Sequence, residues 1–304
     1  EGTYVDLMEA TFRDFPERVA CHFMGSQLRF RELDEATARF ASFLSAAGCV
    51  KGDVVGISLP NTPQHMIAHF GTLRAGCAAL GLSPLLAPRE LAHQIVDAGA
   101  RVVVLSDAAF EEKLFPVRSD VDCVSHVVVT GLGDYLSFLT RQIGKLLGKL
   151  PSGRVQPLSG KTTVTLKAAL AANPPGNSPT DLRPSDTCLI QYTGGTTGLP
   201  KGTVLTHRNM VSNVSQVANW FDERRGTGVY TSAFPFFHAA GLITDMTAVA
   251  HAATQVLIPD PRNTDHICKE IIRHPPTIMG NVPSLCQMLL RNPRFAGLDF
   301  SKTR

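Results

Sequence analysis

From residue 53 onward, short apolar runs alternate with longer stretches of helical periodicity, and few folds accept that pattern. Asp53 to Leu59 (D-V-V-G-I-S-L) reads as a strand, Thr62 to Ala75 as a helix and Cys77 to Leu82 as a strand. Pro88 to Ala98 follows as a helix entered by proline and ended by Gly99, then Arg101 to Leu105 and Val124 to Val129 as strands. Upstream, Phe30 to Ala47 has helical spacing and stops at Gly48. Strands with no polar face cannot sit at a surface, so the pattern predicts a mostly parallel sheet covered by helices on both sides.

The alternation breaks between Gly131 and Pro184, where Pro151, Pro157, Pro174, Pro175 and Pro179 stand among Gly and Ser. It resumes with strands at Thr187 to Tyr192, Val229 to Ala233, Gln255 to Pro259 and Thr277 to Gly280. Helices are expected from about Thr206 to Trp220, His238 to about Ala250, Asp265 to His274 and Pro283 to Leu290. The expected fold is therefore α/β, with two open, mostly parallel sheets flanked by helices. The expected organisation is a first α/β subdomain at 1–180, with an insertion near 131–184, and a second at 181–304.

A net charge of +3 over 304 residues, with no dense basic face, argues against nucleic acid as a partner. Seven cysteines, an odd number without a C-x-x-C pair, read as free core thiols of a reducing, cytoplasmic compartment. No apolar run has the length of a membrane span. A chain that starts at Glu1 and stops on Lys302-Thr303-Arg304 reads as part of a longer protein.

The densest chemical signal is Gln191 to Gly202, Q-Y-T-G-G-T-T-G-L-P-K-G. A buried strand empties there into Thr193, Gly194, Gly195, Thr196, Thr197 and Gly198, with Lys201 close behind. Glycines let backbone N–H groups turn toward a polyanion, threonine hydroxyls add donors, and one ammonium neutralises charge. This is the composition of a phosphate cradle. It is not a Walker A loop, because Lys201 follows Pro200 and precedes Gly202 rather than Ser or Thr. Directly after it, Thr206 is suited to cap a helix starting with His207-Arg208-Asn209, whose dipole would favour a nearby anion. His207 and Arg208 are read either as phosphate contacts or as first-turn residues facing solvent.

A second constellation is Phe234-Pro235-Phe236-Phe237-His238-Ala239-Ala240-Gly241, a histidine at the mouth of a strand among phenylalanines, followed by small residues. No H-E-x-x-H, G-x-S-x-G or clustered acidic motif occurs, so neither a nucleophile nor a metal site is implied.

The stretch from Gln191 resembles the signature loop of the adenylate-forming (AMP-binding) superfamily of acyl-CoA synthetases, luciferases and peptide-synthetase adenylation domains, usually [YF]-T-S-G-T-T-G-x-P-K-G. Gly194 replaces the common Ser, a variant that resembles bacterial long-chain fatty acid–CoA ligases. The resemblance implies that Thr193 to Gly198 and Lys201 bind ATP phosphates. It implies that Phe237 lines an acyl channel and that His238 faces the reacting carboxylate and α-phosphate. It further implies ATP, Mg2+ and CoA as cofactors and co-substrates, with the Mg2+ ligand, the adenine segment and a mobile C-terminal lysine domain expected in the half of a family enzyme that this chain does not match. The expected function is activation of a long- or medium-chain fatty acid to acyl-AMP and then acyl-CoA. Two alternatives stand beside it: residues 1–304 as a nucleotide-binding module inactive by itself, and an adenylation domain that loads a carrier protein.

Wound as a helix, Leu136, Leu139, Ile143, Leu146, Leu147 and Leu150 share one arc, with Arg141, Lys145 and Lys149 opposite. Such a basic amphipathic stretch is read either as a peripheral contact with an anionic membrane or as a helix packed on its own domain.

Overall fold

The computed structural model describes residues 2–146, 148, 150–176, 181–193, 199–222 and 224–303. Helix α1 (Tyr4–Asp14) leads into strands β1 (Val19–Phe23) and β2 (Ser26–Arg29), then α2 (Phe30–Ala46) and β3 (Val54–Ser58). Next come α3 (Pro63–Arg74), β4 (Ala78–Gly81), α4 (Pro88–Asp97), β5 (Ala100–Ser106), the single turn α5 (Asp107–Ala109) and β6 (His126–Thr130). After these follow α6 (Phe138–Leu146), β7 (Thr162–Thr165), α7 (Leu166–Ala172), β8 (Thr187–Thr193) and β9 (Lys201–Thr206). Helix α8 (His207–Phe221), β10 (Val229–Ser232), α9 (Ala239–Ala250), β11 (Thr254–Leu257), α10 (Thr264–Arg273) and α11 (Pro283–Leu290) complete the chain.

Among the described residues, seven strands form one sheet in the order β7-β6-β5-β3-β4-β8-β9, and four form another in the order β10-β11-β1-β2. All pairings are parallel except β1 with β2 and β8 with β9. The expected α/β class with two mostly parallel sheets is thus what the chain forms. The alternation of the pleat divides the large sheet cleanly. Val102, Val104 and Val128 face one apolar cluster, while Val103, Leu105, Val127 and Val129 face another with Leu91 and Ile95 of α4.

The first cluster also takes in Cys21 and Phe23 of β1 and Leu257 of β11, so it joins the two sheets. Helix α3 lies within it, buried from Pro63 through Leu73 on every face. Thr62 caps that helix by accepting the His65 N–H, and Pro63 supplies its first turn.

Several expectations change. The sheets do not divide at residue 180: β8 and β9 extend the sheet begun by β3 to β6, and β10 and β11 pair with the N-terminal β1 and β2. The expected insertion near 131–184 is built into the first sheet and its helices, since β7 pairs in parallel with β6 and α7 packs on α2. Thr277 to Gly280 makes a single bridge, Tyr230 to Ile278, instead of a strand.

The stretch 136–150 is not one helix. Leu136 precedes α6 and is buried, Leu150 follows it and packs on the main core, and Ile143 and Arg141 are exposed on the helix. The side chains of Leu139, Lys145, Leu146, Leu147 and Lys149 lie outside the described residues. All seven cysteines are free thiols, with Cys123 and Cys286 exposed and the other five buried.

Candidate functional site

Strand β8 lies between β4 and the edge strand β9 of the large sheet, Cys188 and Leu189 buried, and its antiparallel partner β9 returns along it. The register ends at Thr193 opposite Lys201, so these two residues form the last rung of a hairpin whose connection is 194–200. Both are exposed. Gly194, Gly195, Thr196, Thr197 and Gly198 lie outside the described residues. One rung back, Gly202 faces Tyr192 so closely that a Cβ would meet its ring at 3.2 Å. The Tyr192 hydroxyl donates to the Asp97 carboxylate at the end of α4. Burial, reinforced by Asp97, holds that phenol well above its ordinary pKa.

The hairpin corrects the expectation about the following helix. Six residues of β9 separate the connection from α8, a span of roughly 17 Å at about 3.4 Å per residue. Thr206 does cap α8, accepting the Asn209 N–H at 3.3 Å, but at the far end of the hairpin. His207 is fully buried and accepts the Tyr4 N–H at Nδ1, 3.3 Å. Burial presses its pKa down to about 4, so it is a neutral core residue and not a phosphate contact. Arg208 is exposed on that distant turn.

The aromatic–histidine segment leaves the C-terminal end of β10. His238 caps α9, its Nδ1 accepting the Ala240 N–H at 3.4 Å, and its ring meets Phe234 edge-on at 5.3 Å. The imidazole is exposed, Phe236 is buried and Phe237 is half-buried. Phe237 lines a cavity of about 320 Å³ together with Pro60, Pro235, Ala233 and Ile258. The glycine that closes this run has a steric cause. A Cβ on Gly241 would stand 2.0 Å from the Pro235 carbonyl oxygen and 2.7 Å from that of Phe234.

Two side chains that the sequence did not single out bring hairpin and histidine segment together. Gln191 of β8 donates from Nε2 to the Phe237 carbonyl at 3.1 Å. Asn61, fully buried after β3, donates to the Ser232 and Phe234 carbonyls at 2.9 and 2.8 Å and accepts the Phe236 N–H at 2.8 Å. Gln191 lay within the motif, but its task needs the tertiary neighbour 46 residues on. Asn61 stands in L-P-N-T-P, where asparagine reads as a turn residue.

Among the described residues no group of three or more His, Cys, Asp and Glu side chains is arranged to hold a metal ion. With Lys201 at the rim, exposed threonine beside it and an exposed imidazole across the Gln191 bond, the described residues offer charge and donors for an anion.

Comparison with known proteins bears on this geometry. The family described as AMP-binding enzyme matches residues 8–304. A long-chain-fatty-acid–CoA ligase of Escherichia coli O6:H1 is 34% identical over 98% of this chain and 54% of its own length. One from Bacillus subtilis is 31% identical over 95% of this chain and 52% of its own. The chain thus spans about half the length of the curated relatives it matches. Among solved structures, a long-chain-fatty-acid–CoA ligase from Archaeoglobus fulgidus superposes with a TM-score of 0.81 at 22% identity, covering 100% of this chain and 56% of that one. An anthranilate CoA ligase in complex with anthranoyl-AMP gives 0.80 at 22% identity, over 99% and 54%. At that identity the structures support the shared fold.

Proposed function

This chain belongs to the AMP-binding enzyme family, and we propose that the intact protein activates a long- or medium-chain fatty acid with ATP, first to acyl-AMP and then to acyl-CoA. The observation that carries the proposal is the Gln191 to Phe237 bond, because it sets the strand feeding the Gly/Thr connection against the exposed His238. The names of the relatives at 34% identity support the fatty acid as substrate.

In this reading Thr193 to Gly198 wrap the phosphates and Lys201 neutralises β- and γ-phosphate charge. His238 faces the carboxylate and α-phosphate where the new bond forms, and Phe237 lines the acyl path. The carboxylate is itself the nucleophile on the α-phosphorus, so the protein contributes positioning and electrostatic stabilisation. Mg2+ would temper the phosphate charge when bound, and the described residues supply no ligand cluster for it. Among the described side chains, peripheral contact with an anionic membrane through 136–150 would rest on Arg141 and Ile143, since Leu136 and Leu150 turn inward.

An activity profile of the full-length protein over acids from acetate to palmitate, with benzoate included, tests the substrate. Each buried CH2 is worth about 0.8 kcal/mol, so an apolar channel predicts preference rising by orders of magnitude from acetate toward palmitate. A best substrate of acetate or benzoate would refute the fatty acid. Transfer to a carrier-protein thiol in place of CoA would favour the adenylation-domain alternative.

A further inference from the structure

We propose that Asn61 and Gln191 are positioning residues that clamp the segment 232–238 to the large sheet, so that His238 and the last rung of the β8–β9 hairpin, Thr193 and Lys201, keep one fixed spacing. The inference deepens the ligase reading and rests on it for its kinetic part.

Asn61 uses its whole amide on three backbone groups of a five-residue span: two donated bonds, to Ser232 and Phe234, and one accepted, from Phe236. Those partners are a carbonyl pair and an N–H, so the amide has only one orientation that satisfies all three. Asn61 sits past the end of β3 in the large sheet, whereas Ser232 ends β10 in the small one. The span it grips leads straight into His238.

Gln191 grips the next carbonyl, Phe237, from β8, two residues before Thr193. Gly81 at the end of β4 leaves the room: a Cβ there would stand 2.9 Å from Gln191 Oε1 and 3.3 Å from the Phe237 oxygen. Four hydrogen bonds therefore fix the backbone on both sides of the half-buried Phe237, and one of them runs to the strand that enters the Gly/Thr connection. Neither side chain reaches the exposed imidazole; both act through the backbone that carries it.

The experiment uses the full-length protein and the variants Gln191→Met and Asn61→Leu, which keep approximate side-chain size and remove the bonds. Gln64→Met serves as control, because Gln64 of α3 makes the same kind of amide-to-carbonyl bond, at 2.9 Å, but to Gly131 and not to the segment 232–238. Hydrogen–deuterium exchange of the peptide covering 232–240 should be at least about fivefold faster in Gln191→Met and Asn61→Leu than in Gln64→Met. In acid-dependent pyrophosphate exchange, kcat should fall about ten- to a hundredfold while KM for ATP shifts little, as expected of a misplaced reacting group.

Unchanged exchange of 232–240 in Gln191→Met overturns the clamp, and so does a kcat loss no larger than that of Gln64→Met in an active parent. Should Asn61→Leu not fold, Gln191→Met decides alone. A parent inactive with every acid defeats the ligase reading, and the deuterium exchange then judges the clamp by itself.

Discussion

Gly241 stands in the first turn of α9, where its missing Cβ lets the helix close on the Phe234 and Pro235 carbonyls. Because the obstacle is backbone, a side chain there must push the histidine segment away. Gly241→Ala should therefore destabilise by about 1–3 kcal/mol, the usual cost of overpacking, and lower activity with every acid tested. Thermal melts and pyrophosphate exchange check this, and an unchanged variant would show that the turn yields freely.

Asp245, four residues on, is fully buried. Gln255 Nε2 donates to its Oδ1 at 2.7 Å, and its Oδ2 has no hydrogen-bond partner among the described residues. Burial pushes its pKa up from 3.8 to about 7, with the Gln255 bond opposing. The folded state then binds more protons than the unfolded chain between about pH 4 and 7, so this group's share of stability falls as pH rises through that window. Buried His65 and His207, lowered to about 3 and about 4, act in the opposite sense below pH 6.5. Asp245→Asn removes only the carboxyl's contribution, so its melting temperature relative to the parent should climb from pH 4 to pH 8. A pH-independent difference would contradict the buried-acid account. At this scale His238 and Phe237 could be found in the sequence as an aromatic–histidine cluster, whereas Asn61 and Asp245 could not. A buried polar residue is recognisable only through partners that the fold delivers.

Elements with apolar runs or clear caps were legible: β3 to β6, β8, α3, α4 and α8 to α11 appear within a few residues of their expected bounds. Helix α1, strand β7 and helix α7 escaped, and three further cases show why. Strands β1 and β2 are short and carry His, Ser, Gln and Arg, and β1 finds its parallel partner β11 more than two hundred residues away. Strand β9 is an edge strand, exposed from Lys201 through Val204, so it lacks the apolar signature of its neighbours. Hidden β9 also made the Gly/Thr stretch read as a strand-to-helix connection, when it joins two antiparallel strands. The third is α6, shorter than its amphipathic pattern because Leu136 and Leu150 leave the helix to join the protein interior. The exposed Arg141 would give membrane binding through this element an electrostatic part. Arg141→Glu with Lys145→Glu should weaken sedimentation of the full-length protein with anionic liposomes, more at low salt than at high. Equal sedimentation of variant and parent would remove the membrane contact from the account.

For the whole molecule, the alternation of strands and helices was enough to specify class but not assembly. Parallel pairing joins strands that are distant in sequence, and the two sheets interleave across residue 180 with one apolar cluster between them. Consequently Gln191 reaches Phe237 from the strand preceding the Gly/Thr connection, and the two constellations legible in the sequence become one candidate site. We propose that a carboxylate attacks ATP there with Lys201 holding phosphate charge. Carboxylate-dependent exchange of labelled pyrophosphate into ATP, measured on the full-length protein and on Lys201→Ala, tests this most directly. Exchange should require a fatty acid and fall at least about tenfold in Lys201→Ala, with the melting temperature nearly unchanged. No exchange with any acid, or a variant whose only defect is loss of folding, would contradict it.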